Sequence, residues 1–241
     1  MAENDKGIRL NKYLSEAGIC SRREADKQVE AGNVLINGKA VELGQKVMPG
    51  DEVIFKGKKV GGKQKPVILL VNKPKGIVST AEKRERDNIV DFVGYPTRLY
   101  PVGRLDKDSH GLILLTNVGE LMDNILKASN NHEKEYIVRV NKPITADFIH
   151  KMSQGVYLTD LDKTTRKCQV EKLSKYTFKI ILMQGLNRQI RRMCMELGYR
   201  VQDLERVRIV NLTLDGLGVG EYRKITDSEY EVLKSKLKGM D

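Results

Sequence analysis

The stretch RLNKYLSEAGICSRREADKQVEAGNVLINGK, residues 9–39, predicts two short helices followed by a β-hairpin. Apolar side chains recur from Leu10 to Ala17 at the i, i+3, i+4 and i+7 positions of an amphipathic helix, which Gly18 can end. Farther along, the pair Asn37-Gly38 between two apolar runs is a strong signal for a two-residue hairpin turn. This part of the sequence therefore predicts a small domain near the start of the chain.

The start of the second predicted helix carries an unusual pair of cations. Ser21 as N-cap and Glu24 three residues later form the pattern of a capping box. Arg22 and Arg23 lie between them, although cations at a helix N-terminus oppose the macrodipole. A phosphate group would favour both arginines, because the helix end supplies N–H donors and the guanidinium groups supply positive charge. The alternative is a pair of solvated arginines without a ligand.

The composition indicates a globular protein that attracts polyanions. Lys and Arg number 43 against 32 Asp and Glu, which gives a net charge of +11 and favours partners such as nucleic acid or an anionic membrane surface. No apolar run is long enough to span a membrane, and the start MAENDKGIRL lacks the apolar core of a signal peptide, so we expect a cytoplasmic protein without a membrane partner. The cysteines have neither disulfide-framework nor zinc-site spacing and are expected to be reduced: Cys20, Cys168 and Cys194.

A second domain is predicted after the stretch VGGKQKP, residues 60–66, where glycine, lysine and proline interrupt the apolar pattern. We predict one domain over residues 7–61, a linker over 62–66 and a second domain over 67–241. Strands and helices alternate in the second domain without a strict βαβ rhythm, and several strands are apolar on both faces, which predicts an α+β fold. The predicted strands are VILLVNKP, GLILLTN, KEYIVRV, CQVEKL and YTFKIILMQG.

Four helices are predicted in the second domain. GELMDNILKA and NRQIRRMCMELG have helical spacing of apolar residues, and Thr145 is placed to cap a helix at TADFIHKM. The last helix, TDSEYEVLKSKLKG, begins with a second capping-box pattern formed by Thr226 and Glu229.

The stretch GRLDKDSHG, residues 103–111, contains acids in an otherwise basic chain. In a strand, Asp106, Asp108 and His110 would share one face and could bind a divalent metal, as in a nuclease. A calcium-loop alignment fails, because its twelfth position is Asn117, which cannot act as a bidentate carboxylate. Two alternatives to a metal site are an ordinary turn and a single aspartate that acts as nucleophile or base beside an arginine.

An arginine partner for such an aspartate is available in the predicted helix NRQIRRMCMELG. At about 100° per residue, Arg191 lies at the edge of the apolar stripe of this helix, while Arg188 and Arg192 lie opposite the stripe. Arg191 is therefore expected to be half-buried and the other two arginines to face solvent or phosphate. An amphipathic helix with a solvated basic face is the alternative. The stripe consists of Ile190, Met193, Cys194 and Leu197.

The first domain resembles the alpha-L RNA-binding domain, and the likeness is carried by the stretch quoted first and extends over residues 7–61. No RNP aromatic signature and no helix-turn-helix pattern competes with this interpretation. The resemblance implies an RNA partner and places the RNA-facing positions at Arg9, Lys12, Ser21, Arg22, Arg23, Asn37 and Lys39.

The second domain resembles the pseudouridine synthases, in the branch that carries an N-terminal alpha-L domain. The likeness is carried by GRLDKDSHGLILLTNVGEL, KEYIV and QGLNRQIRRM in this order, and also by LVNKPKGIVST, RDNIVDFV and RLYPVGRLD. The resemblance implies a mixed, mainly antiparallel sheet flanked by helices. It also implies an active site with Asp106 as the catalytic carboxylate, Tyr136 as the active-site tyrosine and Arg191 as the basic partner. His110 in the GRLD loop departs from the pattern expected of the most similar members.

The reaction implied by this resemblance is the isomerisation of a uridine to pseudouridine within ribosomal RNA. The resemblance points to RNA of the large ribosomal subunit, and tRNA is a further possible substrate. It needs no redox change or energy input, which agrees with a sequence that has no P-loop or dinucleotide fingerprint, so no cofactor and no metal are expected. Asp106 could serve as nucleophile, electrostatic stabiliser or base. Flipping the nucleotide out of its helix requires phosphate contacts, expected from Arg104, Lys73, Lys75, Arg188 and Arg192.

The resemblance thus favours a monomeric RNA isomerase. Two other classes of protein stay open at the level of the residues alone: a non-catalytic RNA-binding or ribosome-assembly factor, and a metal-dependent nuclease.

Overall fold

The computed structural model describes residues 7–62, 64–127 and 130–237 and divides into two compact units. The first unit extends to Pro66 and includes Asn117–Gly119, and the second comprises Val67–Thr116 and the chain from Glu120 onward. Among the helices within these ranges, none is both long and apolar enough to cross a membrane.

Within residues 7–62 and 64–66, the first unit has two helices and two small sheets. An antiparallel sheet has the strand order β3-β2-β5-β6, and β1 pairs with β4. The elements are β1 (Ile8–Arg9), α1 (Leu10–Glu16), α2 (Arg22–Glu30), β2 (Val34–Ile36), β3 (Lys39–Ala40), β4 (Lys46–Val47), β5 (Val53–Phe55) and β6 (Lys58–Lys59).

The core of the first unit confirms the predicted helical spacing. Leu10 and Leu14 of α1 are buried and pack with Ala25 and Val29 of α2 against the inner face of the sheet. The hairpin between β2 and β3 is also confirmed, because Asn37 and Gly38 have φ angles of 50° and 74°, both in the left-handed region that a type I′ turn requires.

The capping box predicted at α2 is only half formed. The Ser21 hydroxyl accepts a hydrogen bond from the Glu24 backbone N–H at 3.2 Å, so Ser21 is the N-cap. The Glu24 carboxylate does not complete the box, because it accepts instead from the Gln28 side chain one turn later at 2.7 Å.

The second unit is built on one large mixed sheet. Its strand order is β13-β14-β10-β15-β9-β7-β17, with β8 also on β9 and β16 on β15, and the β15–β9 pair is parallel while the other pairs are antiparallel. The strands are β7 (Ile68–Lys73), β8 (Tyr100–Val102), β9 (His110–Thr116), β10 (Lys134–Val140), β13 (Gln169–Lys172), β14 (Thr177–Leu182), β15 (Val201–Ile209), β16 (Leu212–Thr213) and β17 (Tyr222–Lys224), with a separate small pair β11 (Tyr157–Leu158) and β12 (Lys163–Thr164).

The helices of the second unit pack beside this sheet and complete the predicted α+β fold. Thr145 caps its helix as predicted, and Thr226 with Glu229 forms a complete capping box. The helices are α3 (Ile89–Val93), α4 (Gly119–Leu126), α5 (Ala146–Gln154), α6 (Gln189–Glu196) and α7 (Asp227–Lys236).

Two apolar clusters among the described residues make up much of the core of the second unit. One joins strands β7 and β9 to α3, with Leu69, Ile89 and Ile113 fully buried. The other joins β10 and β14 to helices α5 and α6, where Phe148 and Phe178 meet edge to face with centroids 5.3 Å apart. Tyr136 of β10 packs against both clusters, which places this residue where the two parts of the core adjoin.

The longest strand, β15, was missed by the sequence analysis, as were β8 and α3. Strand β15 lies between β10 and β9, yet it carries Asp203, Glu205, Arg206 and Arg208, so its sequence lacks the apolar alternation of a half-buried strand. These charges are partnered within the fold, as when Arg208 bonds the carboxylates of Glu133 and Glu135. Contacts between distant segments therefore stabilise a strand that the local sequence pattern does not predict.

The parallel pairing of β9 with β15 depends on a close backbone approach at Gly111. This residue pairs with Arg206 and has a φ angle of 101°. A Cβ atom at this position would collide with the backbone carbonyl and amide of Arg206. Only glycine avoids both the collision and the strained backbone conformation.

The contact between β17 and α7 makes stability depend on pH. Arg223 donates to both oxygens of Glu229, at 2.6 and 2.8 Å, and this hydrogen-bonded pair, with further help from Thr226, lowers the pKa of Glu229 to about 2 from 4.5. Because the folded-state pKa is depressed, the stabilisation is complete above the unfolded value and is lost as the pH falls towards 2.

We therefore predict that Glu229→Gln lowers the free energy of unfolding by about 1 to 2 kcal/mol at pH 7, and that this difference shrinks progressively between pH 5 and pH 2. Urea unfolding of the wild type and of Glu229→Gln at pH values from 7 to 2 measures this difference in the free energy of unfolding. Glu231→Gln, an exposed residue of the same helix, serves as the control and should have no such effect. An equal loss of stability for Glu229→Gln at every pH would contradict the assignment.

Candidate active site

The GRLD stretch forms a tight loop between β8 and β9 at the wall of a cavity. The Ser109 backbone N–H donates to the Asp106 carbonyl at 3.0 Å, which closes a turn over residues 106–109. The cavity has a volume of about 470 Å³ and is lined by this loop, by the start of β10 and by residues 182–191. The Asp106 side chain is 29% exposed, so its carboxylate is sheltered but accessible from the cavity.

Ser79 fixes the backbone immediately before Asp106. Its hydroxyl donates to the Leu105 carbonyl at 2.8 Å and accepts from the Leu105 N–H at 3.0 Å. Both residues are buried, with Ser79 only 3% exposed. The loop therefore has little freedom at the residue that precedes the carboxylate.

Arg191 of α6 connects to the loop at several points. Its Nε atom lies 3.6 Å from Asp106 Oδ2, and one terminal nitrogen donates to the Ser109 hydroxyl at 3.0 Å and to the Asp108 carbonyl at 3.3 Å. Its side chain is 16% exposed, as the position at the edge of the apolar stripe predicted. One guanidinium thus offsets the charge of Asp106 and also holds the turn that carries it.

Arg188 also contacts the acids, contrary to the helical-wheel prediction. One terminal nitrogen lies 3.5 Å from Asp106 Oδ2, and the other lies 4.0 Å from Asp108 Oδ2. The wheel does not apply, because Arg188 is the residue before α6 and has a left-handed conformation with φ of 49°. This conformation turns its side chain towards the loop, and at 42% exposure it still borders solvent.

Tyr136 and Arg104 complete the predicted set at the cavity. Tyr136 lies on β10 and lines the cavity while it packs against both parts of the core, so its ring is held firmly. Arg104 is exposed and lines the same cavity. The structure therefore brings together Asp106, Tyr136, Arg191, Arg104 and Arg188.

Lys73 is not a surface contact, and this prediction is wrong. The residue is fully buried at the end of β7, and its ammonium donates to the carbonyls of Pro74 and Ile77 at 2.9 and 2.7 Å. Burial lowers its pKa to about 8, aided by the charge of Arg206 and opposed by Asp106 and Asp108. An RNA phosphate cannot reach it. Lys75 is exposed and pairs with Asp203 at 2.6 Å.

Arg192 is also engaged within the protein and does not line the cavity. It forms an ion pair with Asp160, and it donates to the backbone carbonyl and the side-chain carbonyl of Asn187 at 2.8 and 3.0 Å. The sequence predicted that Arg192 faces solvent or phosphate on the polar face of α6, but its guanidinium is paired with Asp160.

Several buried polar residues near the cavity were missed by the sequence analysis. Arg206 of β15 is 2% exposed and donates from Nε to the Leu112 carbonyl at 2.6 Å. Lys134 lines the cavity, and burial together with Arg206 lowers its pKa to about 8. His132 also lines the cavity, and its pKa is lowered by burial and by Lys134. For Lys134 and His132, the only sequence signal was their position two and four residues before Tyr136. Arg206 had no such signal.

The arrangement required by the metal alternative is not formed. Asp106 and Asp108 lie in a turn, whereas His110 begins β9 and its Nε2 atom lies 3.1 Å from Asp203. Within the residues that the structure describes, no group of three or more His, Cys, Asp and Glu side chains is placed to hold a metal ion.

The predicted RNA-facing positions of the first unit divide into available and engaged residues. The side chain of Asn37 is engaged, since it donates to Asp51 at 2.7 Å and accepts from the Glu52 N–H at 2.9 Å. Ser21 is engaged as the cap of α2, and Lys12 is 3.7 Å from Glu16. The exposed positions are Arg9, Arg22, Arg23 and Lys39.

Comparisons with known proteins identify the two units. The family model for RNA pseudouridylate synthase matches residues 67–196, and the model for the S4 domain, another name for the alpha-L domain, matches residues 8–53. The chain is 55% identical over 227 residues to the "Dual-specificity RNA pseudouridine synthase RluF" of Escherichia coli K12, covering 93% of this chain and 78% of that protein.

Two further relatives extend the comparison. The "Ribosomal large subunit pseudouridine synthase B" of Bacillus subtilis is 34% identical, covering 94% of this chain and 96% of that protein. A crystal structure of a pseudouridylate synthase superimposes with a TM-score of 0.69 at 30% identity and covers 94% of this chain and 99% of that one.

An S4 domain joined to a catalytic unit with a carboxylate at its cavity defines an enzyme that acts on RNA. The chain belongs to the RNA pseudouridine synthase family, in its S4-bearing RsuA branch, and it is therefore a uridine isomerase. This confirms the resemblance, the fold class and the RNA partner predicted from the sequence. The alternatives of a non-catalytic RNA-binding factor and of a nuclease lose their support.

Ser79 provides a test of how firmly the GRLD loop is held. We predict that Ser79→Ala lowers the free energy of unfolding by about 1 to 3 kcal/mol, because it leaves the buried N–H and carbonyl of Leu105 without partners, and that it slows pseudouridine formation. Urea unfolding and single-turnover rates measure the two effects. Ser235→Ala, at an exposed position of α7, should change neither. Normal stability and rate for Ser79→Ala would show that the loop is held by other contacts.

Proposed function

We propose that this chain isomerises a specific uridine of large-subunit ribosomal RNA and that Asp106 is its catalytic carboxylate. One observation carries the assignment of Asp106: its carboxylate borders a cavity of about 470 Å³ and lies within 3.6 Å of guanidinium nitrogens of both Arg188 and Arg191. The volume lies in the range of about 300 to 1,000 Å³ that is usual for small-ligand sites. A flipped nucleotide is a ligand of suitable size.

The reaction breaks the bond between C1′ of the ribose and N1 of uracil, rotates the base, and joins C1′ to C5, from which a proton is then removed. Positive charge develops on the sugar as the first bond breaks, and an aspartate can stabilise that charge, attack C1′ or accept a proton. Arg191 and Arg188 suit each role, because they orient the carboxylate and stabilise its negative charge in a sheltered site.

Tyr136 and Arg104 have separate proposed roles. Tyr136 lines the cavity from the firmly packed strand β10, and its ring is suited to stack on the uracil. Arg104 is exposed and is suited to hold the phosphate or ribose of the flipped nucleotide. Flipping costs a few kcal/mol of unstacking, which phosphate contacts over a wider surface must offset.

The S4 domain is proposed to supply a large share of those phosphate contacts. Its exposed cations include Arg22 and Arg23 in the first turn of α2, where the backbone N–H groups also favour an anion. Arg9 and Lys39 are exposed as well. Lys12, Ser21 and Asn37 already have partners within the domain and are weaker candidates.

The relatives support large-subunit ribosomal RNA as the substrate. The protein at 34% identity is named for the large subunit, while the "Ribosomal small subunit pseudouridine synthase A" of Haemophilus influenzae is 31% identical. The name of the relative at 55% identity includes dual specificity, which supports a test of tRNA as a second substrate. We further propose that the enzyme acts as a cytoplasmic monomer.

We predict that wild-type protein forms pseudouridine in an unmodified large-subunit transcript in the presence of EDTA, and that Asp106→Asn binds the transcript but forms no product. Carbodiimide-induced stops of reverse transcriptase map the product, and filter binding measures affinity. The physical reason is that the amide keeps the shape of the carboxylate but cannot act as its anion. Small-subunit transcript and tRNA are tested in parallel.

Asp108→Asn is the matched control, because Asp108 lies two residues away in the same turn but its side chain is 69% exposed. It should retain turnover within a fewfold of the wild-type rate. Retained turnover in Asp106→Asn would remove Asp106 from the catalytic role. Product found only in small-subunit transcript or tRNA would overturn the proposed substrate but leave Asp106 in place.

A second prediction concerns Arg22 and Arg23 in RNA binding. Substitution of both by Ala should reduce the slope of log K against log salt concentration by roughly 1.5, because each lost phosphate contact accounts for about 0.7 to 0.9 of slope. The same loss of charge at the exposed pair Lys56 and Lys58 is the control and should change the slope less. An unchanged slope for the arginine variant would refute the phosphate contacts.

A further inference from the structure

Three buried side-chain nitrogens of residues that line the cavity lack a hydrogen-bond partner among the residues that the structure describes. One is Nε of Arg191, which lies 3.6 Å from Asp106 Oδ2. The other two are Nε2 of His132 and Nε2 of Gln184, and both residues line the same cavity as Asp106. His132 is only 7% exposed. A buried polar atom without a partner lowers stability, so such an atom at a functional cavity indicates a group that binds there.

His132 and Gln184 lie just beyond the same end of one strand pair. Strands β10 and β14 are antiparallel neighbours, and their last paired residues at this end are Lys134 and Leu182. His132 precedes Lys134 by two residues and Gln184 follows Leu182 by two, so both side chains belong to the end of the sheet that borders the cavity. Lys134 and Tyr136 share one face of β10, and both line this cavity together with His132.

The two side chains offer complementary hydrogen-bonding groups. Burial and the charge of Lys134 lower the pKa of His132, so the imidazole is neutral near pH 7 and one ring nitrogen accepts a hydrogen bond. The terminal amide nitrogen of Gln184 donates. An acceptor and a donor therefore line the same cavity.

We propose that His132 and Gln184 bind the uracil edge that carries N3–H, with His132 accepting from N3–H and Gln184 donating to an adjacent carbonyl oxygen. This inference rests on the proposed function of the cavity, since it requires a flipped uridine there. It assigns to the pair the selection of uracil, whereas Asp106 acts on the bond to the sugar.

The symmetry of uracil explains why this edge suits an isomerase. A half-turn of the detached ring about the axis through N3 and C6 exchanges N1 with C5 and O2 with O4. N3–H stays in place, and one carbonyl oxygen replaces the other, so both hydrogen bonds are available before and after the rotation. The pair can thus retain the detached base while C5 moves to the position that N1 occupied.

Cytosine lacks this symmetry and cannot satisfy the same pair while His132 accepts and the Gln184 amide donates. Its N3 carries no hydrogen and meets the acceptor of His132, and its amino group is a donor where uracil has O4. After a half-turn, the donor and the acceptor of the base would have exchanged places. Discrimination against cytosine therefore follows from unpaired buried groups rather than from size.

The test combines protein variants with altered bases. A synthetic stem-loop is taken from whichever RNA the wild-type enzyme modifies in the transcript assay, so failure of the ribosomal assignment does not prevent the experiment. Its target carries uridine, 2-thiouridine, 4-thiouridine or 3-deazauridine, which weaken one carbonyl acceptor or remove N3–H. Single-turnover rates are measured for wild type, Gln184→Leu and His132→Phe, with binding of the stem-loop measured separately.

We expect each variant to slow the reaction of uridine by about 10- to 100-fold, as for loss of a buried hydrogen bond, while the Kd for the stem-loop changes by less than about threefold because phosphate contacts dominate it. We also expect the altered bases to slow the wild-type enzyme and to have little further effect on the matching variant. The matching variant is Gln184→Leu for 2-thiouridine and 4-thiouridine, which alter a carbonyl acceptor. It is His132→Phe for 3-deazauridine, which lacks N3–H.

Two exposed residues give matched control variants: Gln169→Leu on β13 and His150→Phe on α5 should behave as wild type. Equal slowing of wild type and variant by the altered bases would overturn the proposal, because it would show that the side chain does not contact the altered atom. This comparison remains decisive when a variant is less stable than wild type, since each variant is its own reference.

Discussion

The contact between Arg191 and the GRLD loop is the interaction on which the candidate active site depends. Arg191 reaches Asp106, the Ser109 hydroxyl and the Asp108 carbonyl from a helix more than eighty residues later in the chain. This geometry needs α6 to pack against the sheet through Ile190, Met193 and Cys194, so core packing and the position of one charged group are coupled. A loss of packing at α6 would therefore disturb the carboxylate even though the two are separate in sequence.

The rest of the catalytic unit keeps that contact rigid. Ser79 holds the backbone before Asp106, and the buried cations Lys73 and Arg206 bond carbonyl groups of neighbouring segments. Burying ammonium and guanidinium groups lowers stability unless their donors are satisfied. Their presence near the cavity creates a positive environment in which a carboxylate and an RNA phosphate are both favoured, which agrees with the net charge of +11.

Much of this structure follows from local sequence, and the failures have a common cause. Helical spacing, the Asn37-Gly38 turn and the caps at Thr145 and Thr226 were predictable, because each depends on residues within one turn of each other. Strand β15 and the burial of Lys73 were not, since both depend on partners far away in sequence. The motifs predicted that Asp106, Tyr136 and Arg191 belong to one site, and all three line the cavity. The contact of Arg188 with Asp106 needed its left-handed backbone, which no periodicity shows.

The close approach at Gly111 has a consequence for how such enzymes diverge. The neighbouring His110 contacts Asp203 through its side chain, so another residue can take its place if the partner changes as well. Gly111 has no such freedom, because any side chain there would separate the only parallel strands that join the GRLD loop to β15 within the described chain. In distant homologues with altered loops, this glycine should therefore persist longer than the histidine beside it and mark the position, five residues earlier, of the aspartate that we propose as catalytic.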